Sequence, residues 1–213
     1  NGLKKGVMTS RVKHSVKAPR VWQRMLSGRR LDLANPSPMD VEIEDIAHGL
    51  ARVARWNGQT RGEHAFSVAE HSVLVEKICR TLQPDLTPQQ SLTALLHDSP
   101  EYVIGDMISP FKALLGESYK SIEARLQEAI HIRFGLAPVT PQRLKRLIKK
   151  ADLICAWSEA IQLAGFSEDE ANKLFGKPPE DTKLRLKPKA VPDAQSTFLK
   201  RYAQINKQIE TAT

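Results

Sequence analysis

Apolar residues recur along most of the chain at the three-to-four spacing of an α-helix, and β alternation is confined to a few residues at most. Proline and glycine cut this pattern into segments. Asn35, Pro36, Ser37 and Pro38 form a turn, after which Asp40 is positioned to cap a helix running to about Arg55, with Ile43, Ile46, Ala47, Leu50 and Val53 on one face. Asn57 to Glu63 reads as a loop of mixed polarity. Ser67 then caps a second helix, apolar at Val68, Val75, Ile78, Cys79 and Leu82 and closed by Pro84. Thr87 and Pro88 open a short third helix through Leu92, Leu95 and Leu96. It is expected to carry His97 and Asp98 and to stop near Ser99, because Pro100 disfavours a helical residue before it.

Beyond a short segment at Tyr102 to Ile104 and a break at Gly105, a helix is expected from Glu117 to Phe134, stopped by Gly135. Thr140 and Pro141 open the longest helix, with Leu144, Leu147, Ile148, Ala151, Ile154, Cys155 and Trp157 on its apolar side and Gly165 as its bound. Pro178 to Pro192 reads as irregular, and Phe198 to Ile209 as a last amphipathic helix. The pattern therefore predicts an all-α, compact helical bundle. Its organisation is expected to be a basic N-terminal extension over 1–39, docked in part through Trp22, Met25 and Leu26, a core over 40–176, and a Pro-rich segment with a C-terminal helix over 177–213 packing on that core.

The formal charge of +8 on 213 residues changes this picture less than its size suggests. Nine basic residues and no acid fall within the first thirty positions, leaving 23 basic against 24 acidic residues after them. The basic arm is thus open to three readings: a solvated tail, an anion-attracting or oligomer-packing segment, or a nucleic-acid arm. The body is nearly neutral, which argues against nucleic acid as its partner. No apolar run reaches the roughly 20 residues of a membrane span, and the first residues lack an apolar secretory region. Cys79 and Cys155 have no paired spacing and read as buried thiols. A soluble cytoplasmic protein is the expectation.

Candidate chemistry starts from carboxylates in awkward places. Asp152 interrupts the apolar run from Ile148 to Trp157, where a buried carboxylate needs a cation. Lys149 or Arg146 is one candidate partner and a metal ion the other. Asp98 sits at a helix C-terminus, against the helix dipole, with His97 beside it as a neutral nitrogen ligand. His71 lies in the helix after Ser67. Two imidazoles and two carboxylates suit one divalent transition ion, Co, Mn, Fe, Ni or Zn, with coordination positions left open.

His71, the His97-Asp98 pair and Asp152 match in order and spacing the ligands of the HD-domain phosphohydrolases. Around the pair, His97-Asp98-Ser99-Pro100-Glu101 is followed by Gly105-Asp106 and Ser109-Pro110-Phe111-Lys112. Upstream stand Arg55-Trp56 and Ser67-Val68-Ala69-Glu70-His71-Ser72. Over residues 40–160 the chain resembles the branch that contains bacterial 5′-deoxynucleotidases and phage deoxynucleoside triphosphohydrolases. The resemblance implies that His71, His97, Asp98 and Asp152 bind the metal, that Asp98 and Glu101 are catalytic with Glu101 assisting the attacking water, and that Arg55 holds phosphate. It further implies that Trp56 packs where a 2′-hydroxyl would stand, that Asp106 binds the 3′-hydroxyl, and that the chain is a homodimer. Each of these residues also has a plainer reading: a surface arginine, a core aromatic, a turn-capping aspartate, a first-turn glutamate. His48 and His131 read as structural helix residues, and His64 as a weaker candidate for the cleft.

Three functions follow as expectations. The first is hydrolysis of a deoxynucleoside 5′-monophosphate to nucleoside and phosphate. The second is triphosphohydrolysis of a deoxynucleoside triphosphate, with extra cations from the arm or Lys112. The third is a non-catalytic metal-binding scaffold whose arm recruits nucleic acid.

Overall fold

A computed structural model describes residues 20–182 and 184–212. Helices dominate it, as the sequence pattern requires. They are α1 (Ile43–Leu50), α2 (Val68–Leu82), α3 (Pro88–Leu95), α4 (Glu101–Ile104), α5 (Ser109–Leu115), α6 (Glu117–Arg133), α7 (Gln142–Gln162), α8 (Glu168–Phe175) and α9 (Val191–Ala212). Single 3-10 turns stand at Pro38–Asp40, Arg55–Gly58 and Glu180–Thr182.

Helix α2 is the axis of the fold, packed on α7, α3 and α9. Ser67 caps it with a reciprocal box in which the Ser67 hydroxyl accepts from Glu70 N and the Glu70 carboxylate accepts from Ser67 N. Its Val68 and Ala69 enter one apolar cluster with Ile46, Leu50, Leu95, Ile130 and Phe198. Its Val75, Ile78 and Cys79 enter a second with Leu144, Ile148, Ala151 and Ile154 of α7. Apolar burial on two sides explains why α2 also carries fully buried polar residues: they must find partners within the protein. Glu76 does so through Arg201 at 2.7 Å, Arg80 at 2.8 Å and Ser91 at 2.6 Å, which ties α9 and α3 to α2.

Several element limits differ from the sequence expectation. The first helix ends at Leu50 and not near Arg55; Asp40 closes a 3-10 turn, and Glu42 precedes α1 without a side-chain cap. Helix α3 stops at Leu95, so His97 and Asp98 sit in the turn beyond it, where Ser99 N donates to Leu96 O and Glu101 N to Asp98 O. Two helices lie where the sequence pattern predicted none. Helix α8 carries a capping box, Ser167 with Glu170, that is readable in the sequence; α5 is a seven-residue helix with proline in its first turn. Helix α9 begins at Val191, because Pro192 is tolerated in a first turn.

The region before Asn35 holds a small antiparallel hairpin, β1 (Trp22–Arg24) with β2 (Arg30–Asp32). Leu31 is fully buried, Met25 packs on the core, and Leu26 remains 77% exposed. Ser27 donates to Asp45 of α1, and Arg29 pairs with Glu42. The guanidinium groups of Arg20 and Arg30 stand over the Trp22 ring, 4.9 and 4.0 Å from its centroid. Lys4, Lys5, Arg11, Lys13, Lys17 and His14 lie outside the described residues.

Gly49 of α1 allows α4 to approach closely. A Cβ at Gly49 would stand 2.7 Å from Tyr102 O and 2.8 Å from Tyr102 Cβ, so any larger residue would displace the helix that carries Glu101.

Candidate metal centre

Helix α2, the turn after α3, and helix α7 converge on one point. His71 is fully buried, with Nε2 3.4 Å from Asp152 Oδ1 and 3.5 Å from Asp98 Oδ2. His97 Nε2 is 3.1 Å from Asp98 Oδ2, and the two imidazole centroids are 5.4 Å apart. Ligand atoms of His71, His97 and Asp152 all lie within 4.8 Å of one another. Two donors about 2.1 Å from one ion, seen from it at roughly 90° to 110°, are about 3.0–3.4 Å apart. The three nitrogen–oxygen separations, 3.1, 3.4 and 3.5 Å, are close to that spacing.

The imidazole hydrogen bonds support the same fit. His71 Nδ1 is 2.6 Å from Glu159 Oε1, and His97 Nδ1 is 2.9 Å from the Ala94 carbonyl oxygen. Carbonyl and carboxylate oxygens accept, so each Nδ1 donates, leaving Nε2 to offer a lone pair. Both Nε2 atoms are buried without a hydrogen-bond partner. A buried, unpartnered nitrogen is costly unless something cationic meets it.

A second grouping, His71 with Cys155 and Glu159, fits a metal less well. Its atoms are already bonded to one another, with Cys155 Sγ 3.3 Å from Glu159 Oε1. Burial pushes the Cys155 thiol up to about 12, away from the thiolate a metal needs.

Asp152 meets one of the partners open to it from sequence: its Oδ2 accepts from Lys149 at 2.9 Å on the outer side, while its other oxygen, Oδ1, turns toward His71. Burial opposes the ionisation of Asp152 and Asp98, but positive charge on the imidazoles outweighs it and holds both carboxyls below their ordinary range, charge that a cation bound by the neutral imidazoles would supply in its place.

Glu101 behaves in the opposite way. It is 2% exposed, and its Oε2 has no partner. Burial, reinforced by Asp98 and Asp106, pushes its carboxyl up to about 9 against the pull of Lys112, 3.5 Å away. Neighbouring carboxyls held at opposite protonation states are a pattern of acid–base chemistry. Lys112 itself is taken up by Glu101 and Glu123.

Arg55 is no surface arginine: its side chain is 14% exposed, with Nη1 3.2 Å from Asp106 Oδ2 and Nε 3.3 Å from Glu159 Oε2. Asp106 follows Gly105, whose φ of 77° turns the chain out of α4. Burial raises the Asp106 carboxyl, although Arg55 draws it down. Asn57 and Asp106, with Met107, Ile108 and Phe111, line a cleft of about 370 Å³. His64 lies elsewhere, lining a separate pocket with Arg52 and Lys189.

Trp56 and Asn57 have left-handed backbones, φ 57° and 50°. For residues with side chains this costs roughly 1–3 kcal/mol each, so the surroundings must impose it. The Trp56 indole donates to Glu159 Oε2 at 2.8 Å and packs against Phe166 and Phe175, with ring centroids 5.5 and 6.0 Å away. Glu159 is the residue that sequence reasoning missed. Its signal was its place two turns beyond Asp152, on the face of α7 that also carries Cys155.

A helical fold that brings a His, His-Asp, Asp set to one buried point has the form of the HD-type phosphohydrolases. The chain belongs to the family described as 5′-deoxynucleotidase YfbR-like, whose sequence pattern matches residues 45–205. It is 55% identical over 187 residues to an uncharacterized protein of Rhodobacter capsulatus, covering 86% of this chain and 94% of that protein. It is 26% identical over 136 residues to the 5′-deoxynucleotidase of Cronobacter sakazakii, covering 53% of this chain and 68% of that protein. The 5′-deoxynucleotidase YfbR of Shigella flexneri serotype 5b matches at the same identity and coverage. These relationships support a phosphohydrolase. Among the described residues no helix is long and apolar enough to cross a membrane.

Proposed function

We propose that the protein is a metal-dependent phosphohydrolase that converts deoxynucleoside 5′-monophosphates to nucleoside and phosphate, using one divalent transition ion, Co, Mn, Fe, Ni or Zn, held by His71, His97, Asp98 and Asp152. The observation that carries the metal dependence is the pair of buried Nε2 atoms without a hydrogen-bond partner, facing the carboxylates of Asp98 and Asp152. The substrate class is supported by the names of the more distant relatives and by the Arg55, Trp56 and Asp106 cluster next to the centre.

Held by these four residues, such an ion would polarise a phosphoryl oxygen and make water a better nucleophile at neutral pH. Glu101, through its unpartnered Oε2, orients the attacking water and, in its carboxylate form, takes the water's proton and returns it to the departing 5′-oxygen. Arg55 stays charged between Asp106 and Glu159, and its planar fork pairs with the phosphate. Asp106 accepts from the sugar 3′-hydroxyl. The Trp56 ring packs at C2′ and disfavours a hydroxyl there. The bond broken is that between phosphorus and the 5′-oxygen.

The test is a panel of nucleotides differing in base, sugar and phosphate number, incubated with metal-loaded protein and resolved chromatographically. Inorganic phosphate from deoxynucleoside monophosphates, with slower release from ribonucleotides, is the expected result. Tripolyphosphate from triphosphates would instead favour triphosphohydrolysis, and no turnover with any divalent ion would overturn both readings. In the same panel Trp56→Ala is expected to lower the deoxy-to-ribo ratio of kcat/KM by about 10-fold or more. An unchanged ratio removes that role from Trp56.

A further inference from the structure

Glu159 is a fully buried carboxylate on α7, and four donors from three parts of the chain end on it. Oε1 receives His71 Nδ1 at 2.6 Å and Cys155 Sγ at 3.3 Å. Oε2 receives Trp56 Nε1 at 2.8 Å and Arg55 Nε at 3.3 Å. The two oxygens thus divide their work. One faces the candidate metal ligand, and the other faces the residues proposed to hold phosphate and sugar.

We propose that Glu159 is a positioning residue that couples the two halves of the site, fixing the metal-binding tautomer of His71 through one oxygen and the placement of Arg55 and Trp56 through the other. This rests on the metal-dependent reading above. A hydrogen bond from His71 Nδ1 to a carboxylate leaves Nε2 as the lone-pair atom and raises its basicity as a ligand. On the other side, a left-handed residue returns to ordinary backbone unless its side chain is held. Trp56 is held by its indole N–H on Glu159 and by two aromatic rings. Glu159 accepts all four bonds and donates none, so a neutral amide of the same shape cannot replace it. In Glu159→Gln the amide nitrogen must face an N–H or S–H donor on one side, and the charge that strengthens His71 as a ligand is gone.

The test compares wild type with Glu159→Gln in three measurements. Titration of chelator-stripped protein with Co or Mn reads metal affinity, which is expected to weaken by about 10–100-fold in the variant. The deoxy-to-ribo ratio of kcat/KM, measured at saturating metal, is expected to fall, a readout that a purely structural contribution to stability does not move. In zinc-loaded wild type, proton–nitrogen correlation spectra of the His71 ring are expected to find the proton on Nδ1, a measurement independent of whether the variant folds. Wild-type metal affinity in the variant, weakened affinity with an unchanged ratio, or a His71 proton on Nε2 each overturn the coupling role. If wild type itself binds no divalent ion, the metal reading falls and the role of Glu159 with it. If wild type binds metal and turns over substrate while Glu159→Gln matches it, only the role of Glu159 is lost.

Discussion

Asp152→Ala is expected to yield a folded protein that retains no metal and has lost phosphate release by about 1,000-fold or more, equivalent to several kcal/mol of transition-state stabilisation. The fold survives because the position lies within the 21-residue helix α7, where alanine is a strong helix former, and because the Asp152 side chain is partly open on its Lys149 side. The metal is lost because Asp152 Oδ1, 3.4 Å from His71 Nε2, is one of two carboxylates that neutralise the centre. The competing role, an ion pair with Lys149 at a helix surface, is worth at most ~1 kcal/mol. It predicts a small loss of stability with activity intact. Metal content per chain and phosphate release, measured on the same preparation, separate the two. Full metal occupancy with full turnover in the variant leaves Asp152 only the pair with Lys149.

Glu101→Gln has the next largest expected effect and acts in the other direction on stability. Turnover is expected to fall by about 100- to 10,000-fold, the span of a lost general acid or base, while metal binding is kept. In chelator-treated protein the variant is expected to be the more stable of the two at neutral and alkaline pH. The folded carboxyl stands at about 9 against an ordinary 4.5, so between these values the folded chain binds more protons than the unfolded chain. Stability is therefore fully present below the ordinary value and is lost as pH rises through about 9. Glutamine carries no proton to lose, so its advantage over wild type should grow from near zero at pH 5 toward pH 9 in denaturant unfolding. A pH-independent difference, or wild-type turnover, contradicts the placement of Glu101.

Much of this architecture was legible in the sequence because local rules and tertiary packing agree. Ser67 and Thr87 do cap α2 and α3 as expected, each in a reciprocal box with Glu70 or Gln90. Gly105 and Gly135 do take positive φ where a helix must end. The His, His-Asp, Asp pattern was legible because Asp98 and Asp152 are hard to explain without a cation, and the combination gives His71 and His97 a meaning that neither has alone. The hairpin at Trp22–Asp32 was not, since three-residue strands are too short for alternation to show, and Leu31 is buried through tertiary contact. The left-handed backbone at Trp56 and Asn57 was equally hidden, because neither residue type announces it. Glu159 escaped because sequence order separates it by 88 residues from His71 and by 103 from Trp56; only the packing of α7 against α2 brings the three together.

The measurement that bears most directly on the metal centre is reconstitution of the wild-type chain. Protein stripped by chelator is titrated with a single divalent ion while phosphate release from a deoxynucleoside monophosphate is followed. With the ion held by His71, His97, Asp98 and Asp152, stripped protein should be inactive, and turnover should return and level off at one ion per chain. Undiminished phosphate release from the stripped chain would contradict it.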